Sequence, residues 1–264
     1  MNASSFELTA KQVALHDRQR ELGAAGERRL TEVFAAAFPA SGFVLDAGGG
    51  SGVASAALRA AGLRTFLIDL SWAMLSAAAT RLVPRVQGDL RALPLQPESV
   101  DGVHAAYVLQ NIAEWRLASA EFARVLHLGG TALVAFGAPP ADEMVSDLAR
   151  RYFSALRDAG AARVGVAAEG TGLRSVLDAE RALKSLGMDP TGQHVVTGEQ
   201  SRSLRQLVDQ WAGNPFAVQA VERVLVEARD GALRWATQEY GDIDEPRTVQ
   251  VRHVLHEFRR VRKR

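Results

Sequence analysis

Three glycines alternate with other residues directly after an acid: Asp46 is followed by Gly48, Gly50 and Gly52. Glycine adopts positive φ easily and lets a ligand contact the backbone. The helical pattern that follows offers free N–H groups, which bind a carboxylate or a phosphate. The segment predicts a site for a nucleotide-like cofactor. A glycine turn that only packs a helix against a strand is the alternative explanation.

The glycine spacing separates two cofactor classes. A dinucleotide site reads G-x-G-x-x-G, with the pyrophosphate at the helix N-terminus. Counted from Gly48 and Gly50, the third glycine would be residue 53, which is Val53. The spacing therefore disfavours a nicotinamide-dependent oxidoreductase, which is kept as an alternative.

A second acid, Asp69, ends the apolar run 64–70, about 20 residues after the glycines. A carboxylate at the tip of a second strand can accept both ribose hydroxyls of an adenosine cofactor. The competing explanation is structural, because Asp69 or Ser71 could cap the helix that begins near Trp72. This position does not discriminate between nicotinamide and other adenosine cofactors.

Two further motifs follow in order. Gly88–Asp89 closes a third short strand, and Arg124 begins the run R-V-L-x-x-G-G before an apolar stretch that ends at Phe136. Together with D-x-G-x-G-x-G from Asp46 and D-x-S-x-x-M-L from Asp69, these motifs resemble the class I S-adenosylmethionine-dependent methyltransferases. The resemblance is to small-molecule enzymes of the ubiquinone/biotin-biosynthesis type.

The resemblance implies a cofactor, S-adenosyl-L-methionine, and methyl transfer to an O, N or C atom of a small-molecule acceptor by in-line displacement. It places the Asp89 carboxylate on the adenine amino group and the backbone N–H of Leu90 on the adenine ring. The expected cofactor-binding residues are Asp46, Gly48, Gly50, Gly52, Asp69, Leu70, Asp89, Leu90 and Ala105. An RNA methyltransferase and a non-catalytic S-adenosylmethionine-binding protein are the alternatives.

Catalytic side chains are less clearly marked. Displacement at a sulfonium carbon needs mainly alignment and desolvation, and needs a general base only if the acceptor loses a proton. The candidates are Tyr107, Asn111 and His104, which belong to the fourth strand pattern or follow it. A histidine that only packs inside the sheet is the alternative explanation for His104. The other histidines show no second ligand at metal spacing, so no metal site is predicted.

Composition excludes several classes. The chain has 264 residues, a formal net charge of +1 and no cysteine, which excludes disulfides, thiolate zinc sites and a cysteine nucleophile. This balance of charge gives no overall field that attracts nucleic acid, and only the basic tail 259–264 supports an RNA substrate. No apolar run approaches the ~20 residues of a membrane span. We expect a cytoplasmic monomer or homodimer with no membrane or nucleic-acid partner.

Strand patterns alternate with helical patterns, which predicts an α/β fold. With the family resemblance, the expected architecture is a Rossmann-like, doubly wound, seven-stranded sheet, mostly parallel, with an antiparallel last strand and a helical cap. The strands are expected near 43–47, 65–69, 85–88, 101–107, 131–137, 194–197 and 248–258.

The cap is predicted from the roughly 50 residues between the last two strands, too many for a plain hairpin. Helices are expected over 201–212 and 216–238, with Asn214–Pro215 beginning the second. The predicted division is cap helices 1–40, cofactor-binding core 41–200, helical cap insertion 201–245, and last strand with basic tail 246–264. Candidate apolar walls for a substrate are Trp211, Phe216, Trp235 and Phe153, with ordinary packing as the alternative.

Overall fold

The computed structural model describes residues 8–136, 142–161, 163–164, 172–173, 175–214 and 218–262. Its main sheet contains β1 (Phe43–Ala47), β2 (Arg64–Asp69), β3 (Arg85–Gln87), β4 (Val100–Ala106), β5 (Leu126–Ala135), β7 (Met188–Arg202) and β9 (Arg247–Arg260). A separate pair joins β6 (Arg163–Val164) to β8 (Val218–Gln219).

The strand order in the main sheet is β3-β2-β1-β4-β5-β9-β7. The first five strands pair in parallel, and β9 is antiparallel to both of its neighbours. The predicted fold class, a mostly parallel seven-stranded sheet whose last strand is antiparallel, is therefore confirmed. Because the parallel strands all end at one edge, the loops after β1, β2, β3 and β4 meet there.

The helices are α1 (Ala10–Arg20), α2 (Gly23–Ala37), α3 (Val53–Ala60), α4 (Trp72–Ala78), α5 (Trp115–Val125), α6 (Glu143–Asp158), α7 (Val176–Ser185), α8 (Leu204–Ala212) and α9 (Glu222–Tyr240). Several begin at polar side chains that accept a backbone N–H of the first turn, which is the usual N-cap preference. These caps are Thr9, Ser71, Asp142, Ser175 and Ser203.

The sheet is covered on both faces, which explains why β1 reads as an almost continuous apolar run. On one face Leu45 packs with α5 and α7 through Phe122 and Leu183. On the other face Val44 packs with α2 and α3 through Phe34 and Leu58. Residues of one strand thus alternate between two cores, and Asp46 belongs to the α2/α3 face with Val44.

A third core is formed by helices outside the sheet. α6, α8 and α9 pack together around Leu148, Leu156 and Leu204, and we call these three helices the helical cluster. The predicted insertion supplies α8 and α9, whereas α6 comes from the segment assigned to the sheet core. Phe153 contacts the Tyr152 ring edge-on and Trp211 stacks with it, at ring-centroid distances of 5.2 Å and 6.2 Å, which fits the packing explanation for these aromatics.

Two boundaries differ from the sequence expectation. The sixth main-sheet strand is much longer than 194–197, because β7 pairs with β9 from Met188 to Arg202. The predicted start of the second cap helix is wrong: β8 lies within 216–238, and α9 begins only at Glu222. The pairing of β8 with β6 is a long-range contact that local periodicity does not encode. Pro215 and Phe216 lie outside the described residues.

Among the described residues, every helix is too short or too polar to span a lipid bilayer.

The phenol of Tyr152 provides a stability prediction. The side chain is fully buried in the helical cluster, and its Oη has no hydrogen-bond partner among the described residues. Burial raises the pKa of this phenol to about 12. We expect Tyr152→Phe to leave the free energy of unfolding unchanged or to raise it by up to about 1 kcal/mol, because an unsatisfied buried hydroxyl is removed. Urea denaturation tests this, with Tyr240→Phe as the control; a clear loss of stability would show that the hydroxyl has a partner.

Candidate functional site

The glycine loop connects β1 to α3 at the edge where the parallel strands end. Gly48, Gly50 and Gly52 have φ values of 66°, 57° and 82°, in the left-handed region that favours glycine. Gly48 N donates to Ile68 O at 2.7 Å, and Gly50 N donates to Asp69 Oδ2 at 3.0 Å. Two hydrogen bonds therefore connect the loop after β1 to the end of β2.

Neighbouring atoms, as well as the positive φ values, restrict this loop to glycine at some positions. A Cβ on Gly48 would lie 2.4 Å from Cγ2 of Val108, and a Cβ on Gly49 would lie 2.5 Å from Oδ2 of Asp46. Gly49 was absent from the predicted site, although the unbroken G-G-G run was the signal for it. Side chains are thus excluded at two consecutive positions by their neighbours.

Asp46 is buried beneath the loop, with 1% of its surface exposed. Its Oδ2 accepts from Ser55 Oγ at 2.5 Å, and its Oδ1 lies 2.9 Å from His104 Nδ1. The parallel register pairs Asp46 directly with His104 on β4. This carboxylate therefore connects the loop, α3 and β4, and the structure brings a predicted cofactor residue together with a predicted catalytic candidate.

The Asp69 carboxylate accepts hydrogen bonds from two backbone N–H groups, one in the glycine loop and one at the start of α4. Its Oδ1 accepts from Ser71 N at 2.8 Å, in addition to the bond from Gly50 N to Oδ2. Ser71, and not Asp69, is the N-cap of α4. Leu70 and Trp72 next to it are 57% and 65% exposed, which places two large apolar side chains beside the loop.

The carboxylate of Asp89 is held by Arg91. Nη2 of Arg91 lies 2.6 Å from Asp89 Oδ2, and its Nε lies 3.0 Å from Oδ1. These hydrogen bonds lower the pKa of Asp89 below its usual value. Arg91 also pairs with Glu114, while Leu90 is buried. Asp89 is thus a stably ionised acceptor that a ligand would share with Arg91.

The side chain of Ala105 lies away from the loop. It is fully buried in the α5/α7 core, beside Leu45 and Leu109. Leu90 belongs to the same apolar core, so for both residues the backbone, and not the side chain, is the part that could face a ligand.

Helix α1, part of the predicted N-terminal cap, contacts the glycine loop through side chains that the sequence does not single out. Asp17 accepts a hydrogen bond from Ser51 Oγ and forms an ion pair with Arg81 at 3.3 Å. Arg81 also donates to Ser51 O at 2.9 Å. Burial raises the pKa of Asp17, but hydrogen bonds from His16 and Ser51 and the charge of Arg81 outweigh it, so the net shift is downward.

Tyr107 and Asn111 come together directly after β4. Tyr107 has φ 56°, which is unusual for a bulky residue, and its side chain is buried. Asn111 Nδ2 donates to Tyr107 O at 3.1 Å, and the Tyr107 ring contacts His253 edge-on at 5.4 Å. Strained backbone of this kind concentrates at functional sites.

A cavity of about 810 Å³ adjoins the loop on the α2/α3 face of the sheet. We call it the α2/α3 cavity. Its lining includes Asp46, Gly48, His104 and Tyr107. In the part of the chain that the structure describes, no three histidine or acidic side chains form a metal-binding group.

Comparison with known proteins agrees with this geometry. Residues 45–134 match the family profile described as a methyltransferase domain. Over these residues the chain is similar to a methyltransferase domain. The matched segment runs from β1 to β5 and includes the glycine loop, Asp69 and Asp89.

Two curated relatives extend the match beyond this segment. The ubiquinone/menaquinone biosynthesis C-methyltransferase UbiE of Syntrophotalea carbinolica is 32% identical over 155 residues, which is 56% of this chain and 65% of the relative. The demethylmenaquinone methyltransferase of Mycobacterium sp. (strain KMS) is 31% identical over 150 residues, 57% of this chain and 65% of the relative. The chain thus spans 65% of the length of each.

The fold recurs among solved structures. The YcgJ protein of Bacillus subtilis superposes with a TM-score of 0.58 at 17% identity, covering 89% of this chain and 99% of the other. At this identity the likeness concerns the fold alone.

Proposed function

We propose that the protein is an S-adenosylmethionine-dependent methyltransferase acting on a small-molecule acceptor. The observation that carries the proposal is the loop of three left-handed glycines, which is hydrogen-bonded to Asp69 and lies in the segment that matches the methyltransferase-domain profile. The relatives' names, both methyltransferases, support it. The helices of 1–40 and 201–245 would cover the site as its cap.

The residues present fit this cofactor. Loop N–H groups at the start of α3 suit the carboxylate of its amino-acid tail. Asp69 suits the ribose hydroxyls, and Asp89 with the N–H of Leu90 suits the adenine edge. Leu70 and Trp72 offer exposed apolar surface beside that edge. When bound, the cofactor supplies an electrophilic methyl group on a sulfonium.

The chain's own part in the reaction is alignment and exclusion of water. The loop holds the donor through the backbone, which is rigid because Gly48 and Gly50 are hydrogen-bonded to β2. Tyr107 and Asn111 lie after β4, next to the loop in the sheet order, where they can orient an acceptor.

Calorimetry with S-adenosylmethionine, S-adenosylhomocysteine and NAD tests the proposal. We expect saturable binding of the first two and none of NAD. NAD binding without S-adenosylmethionine binding would overturn it. Formation of S-adenosylhomocysteine with a panel of phenols, amines and quinols then separates an enzyme from a non-catalytic binding protein.

Arg91 gives a pH prediction. Its hydrogen bonds depress the pKa of Asp89, so the ionised acceptor persists above that lowered pKa and is lost as pH falls through it. In Arg91→Met the pKa returns toward its usual value, and the loss begins at a higher pH. We expect S-adenosylmethionine affinity to decline at higher pH in this variant than in the native protein, measured by calorimetry from neutral to acidic buffer. The control is Arg150→Met on α6, whose exposed guanidinium pairs with Asp147. If the affinity falls over the same acidic pH range in the native protein and in both variants, Asp89 does not have the proposed role.

A further inference from the structure

The α2/α3 cavity is separate from the surface expected to hold adenosine. Asp69, Leu70, Asp89 and Leu90 do not line it. It contacts the glycine loop at Gly48 and then extends between α2 and α3. Its volume falls in the range of roughly 300–1,000 Å³ that is typical of small-molecule sites.

The lining of this cavity is part apolar and part polar. The α3 wall consists of small or aliphatic side chains such as Ala54 and Ala57, and Leu30 of α2 adds to it. Other α2 side chains in the lining are charged, namely Glu27, Arg28 and Glu32. Polar groups line the sheet side and its end: Asp46, His104, Tyr107 and His253. The shape and chemistry suit an apolar ring whose polar substituent points toward the sheet.

Asp46 and His104 form a buried carboxylate–imidazole pair. The His104 side chain is 4% exposed, its Nδ1 lies 2.9 Å from Asp46 Oδ1, and Phe34 contacts its ring edge-on at 5.1 Å. The Asp46 carboxylate fixes the proton on Nδ1, which leaves Nε2 as a proton acceptor. The contact with Asp46 engages Nδ1, and His104 belongs to the cavity lining, so Nε2 is the ring nitrogen that a ligand in the cavity could use.

We propose that the α2/α3 cavity binds the methyl acceptor, that the acceptor is a phenol-like ring hydroxyl, and that His104 Nε2 is its general base. This inference rests on the proposed function. The acceptor O–H bond breaks as its proton passes to Nε2, and an oxygen lone pair forms the bond to the methyl carbon. The carbon–sulfur bond breaks with its electron pair left on sulfur. Asp46 stabilises the resulting imidazolium, which then releases the proton to water.

The class of acceptor follows from the acidity of the groups. A phenol, with a pKa near the value of about 10 of tyrosine, can give its proton to an imidazole as the new bond forms. Aliphatic alcohols and unactivated carbon acids are much weaker acids. A free amine can attack a methyl group without losing its proton first. A buried carboxylate–histidine pair is therefore most useful to a phenolic hydroxyl.

The test uses 4-nitrophenol, whose ionised form absorbs visible light, titrated at a pH where the free probe is mostly protonated. With the native protein we expect saturable binding by calorimetry and a rise in the visible nitrophenolate band. His104→Gln should lose that band. Ala57→Phe, which fills the cavity and leaves His104 intact, should lose binding. His127→Gln, which changes an exposed histidine at the start of β5, should behave as the native protein does.

Each outcome decides the proposal. Absence of saturable binding to the native protein, an unchanged nitrophenolate band in His104→Gln, or native binding by Ala57→Phe would overturn it. Circular dichroism verifies that each variant is folded, and Ala57→Phe serves as the second test if His104→Gln does not fold. S-adenosylmethionine calorimetry on the same samples separates the two proposals. If that cofactor binds and nitrophenol does not, only the acceptor site is wrong; if neither binds, the proposed function fails as well.

Discussion

Replacing Gly198 with alanine is expected to lower the free energy of unfolding by about 3 kcal/mol, near the upper end for overpacking. Gly198 lies on β7 against the beginning of α2, and a Cβ there would sit 2.1 Å from Leu22 O and 2.7 Å from Leu22 C. Both atoms belong to the backbone, so a rotamer change cannot relieve the clash. Either α2 moves away from the sheet or β7 distorts.

Gly192→Ala is the matched control for this prediction. Gly192 lies on the same strand, but a Cβ there would have no atom within 4 Å. Urea denaturation of both variants gives the midpoints and the m-values, and we expect only Gly198→Ala to shift the midpoint strongly. If the two variants unfold alike, α2 does not pack on β7 as described. Because α2 also lines the α2/α3 cavity, nitrophenol binding should weaken in Gly198→Ala alone.

Replacing Asp69 with alanine is expected to weaken S-adenosylmethionine binding by about 1–3 kcal/mol, the size of a lost charge-assisted hydrogen bond. The effect has two sources. The carboxylate is the expected ribose acceptor, and it also accepts from Gly50 N and Ser71 N. Its removal leaves two loop N–H groups without this anchor.

Calorimetry on two further variants tests whether the loss of affinity is due to the Asp69 carboxylate itself. Asp69→Asn keeps one acceptor oxygen and should show an intermediate loss. Asp158→Ala removes an exposed carboxylate at the end of α6 and should bind normally. Native affinity in Asp69→Ala would mean that the ribose site lies elsewhere.

The parts of the site that the sequence predicted are those encoded locally. The glycines after β1 and the acid after β2 belong to short runs of strand, turn and helix, and parallel pairing brings such turns to one edge. The side chains of Asp17, Ser51 and Arg81 are separated by about 30 residues each, and nothing in their spacing indicates that they meet. The Asp46–His104 contact could not be predicted from the sequence either, because the pattern of a strand is the same for a histidine that only packs and for one that binds a ligand.

The long β7–β9 hairpin has a consequence for how the parts of the molecule are connected. β9 pairs with β5 only from His256 to Arg259, so most of the hairpin extends past the rest of the sheet. At its far end it continues into α8 and α9, and Gln200 and Arg202 on its β7 strand are hydrogen-bonded to the junction of α1 and α2. The hairpin is therefore the structural connection between the helical cluster and α1, and α1 in turn contacts the glycine loop through Asp17 and Ser51.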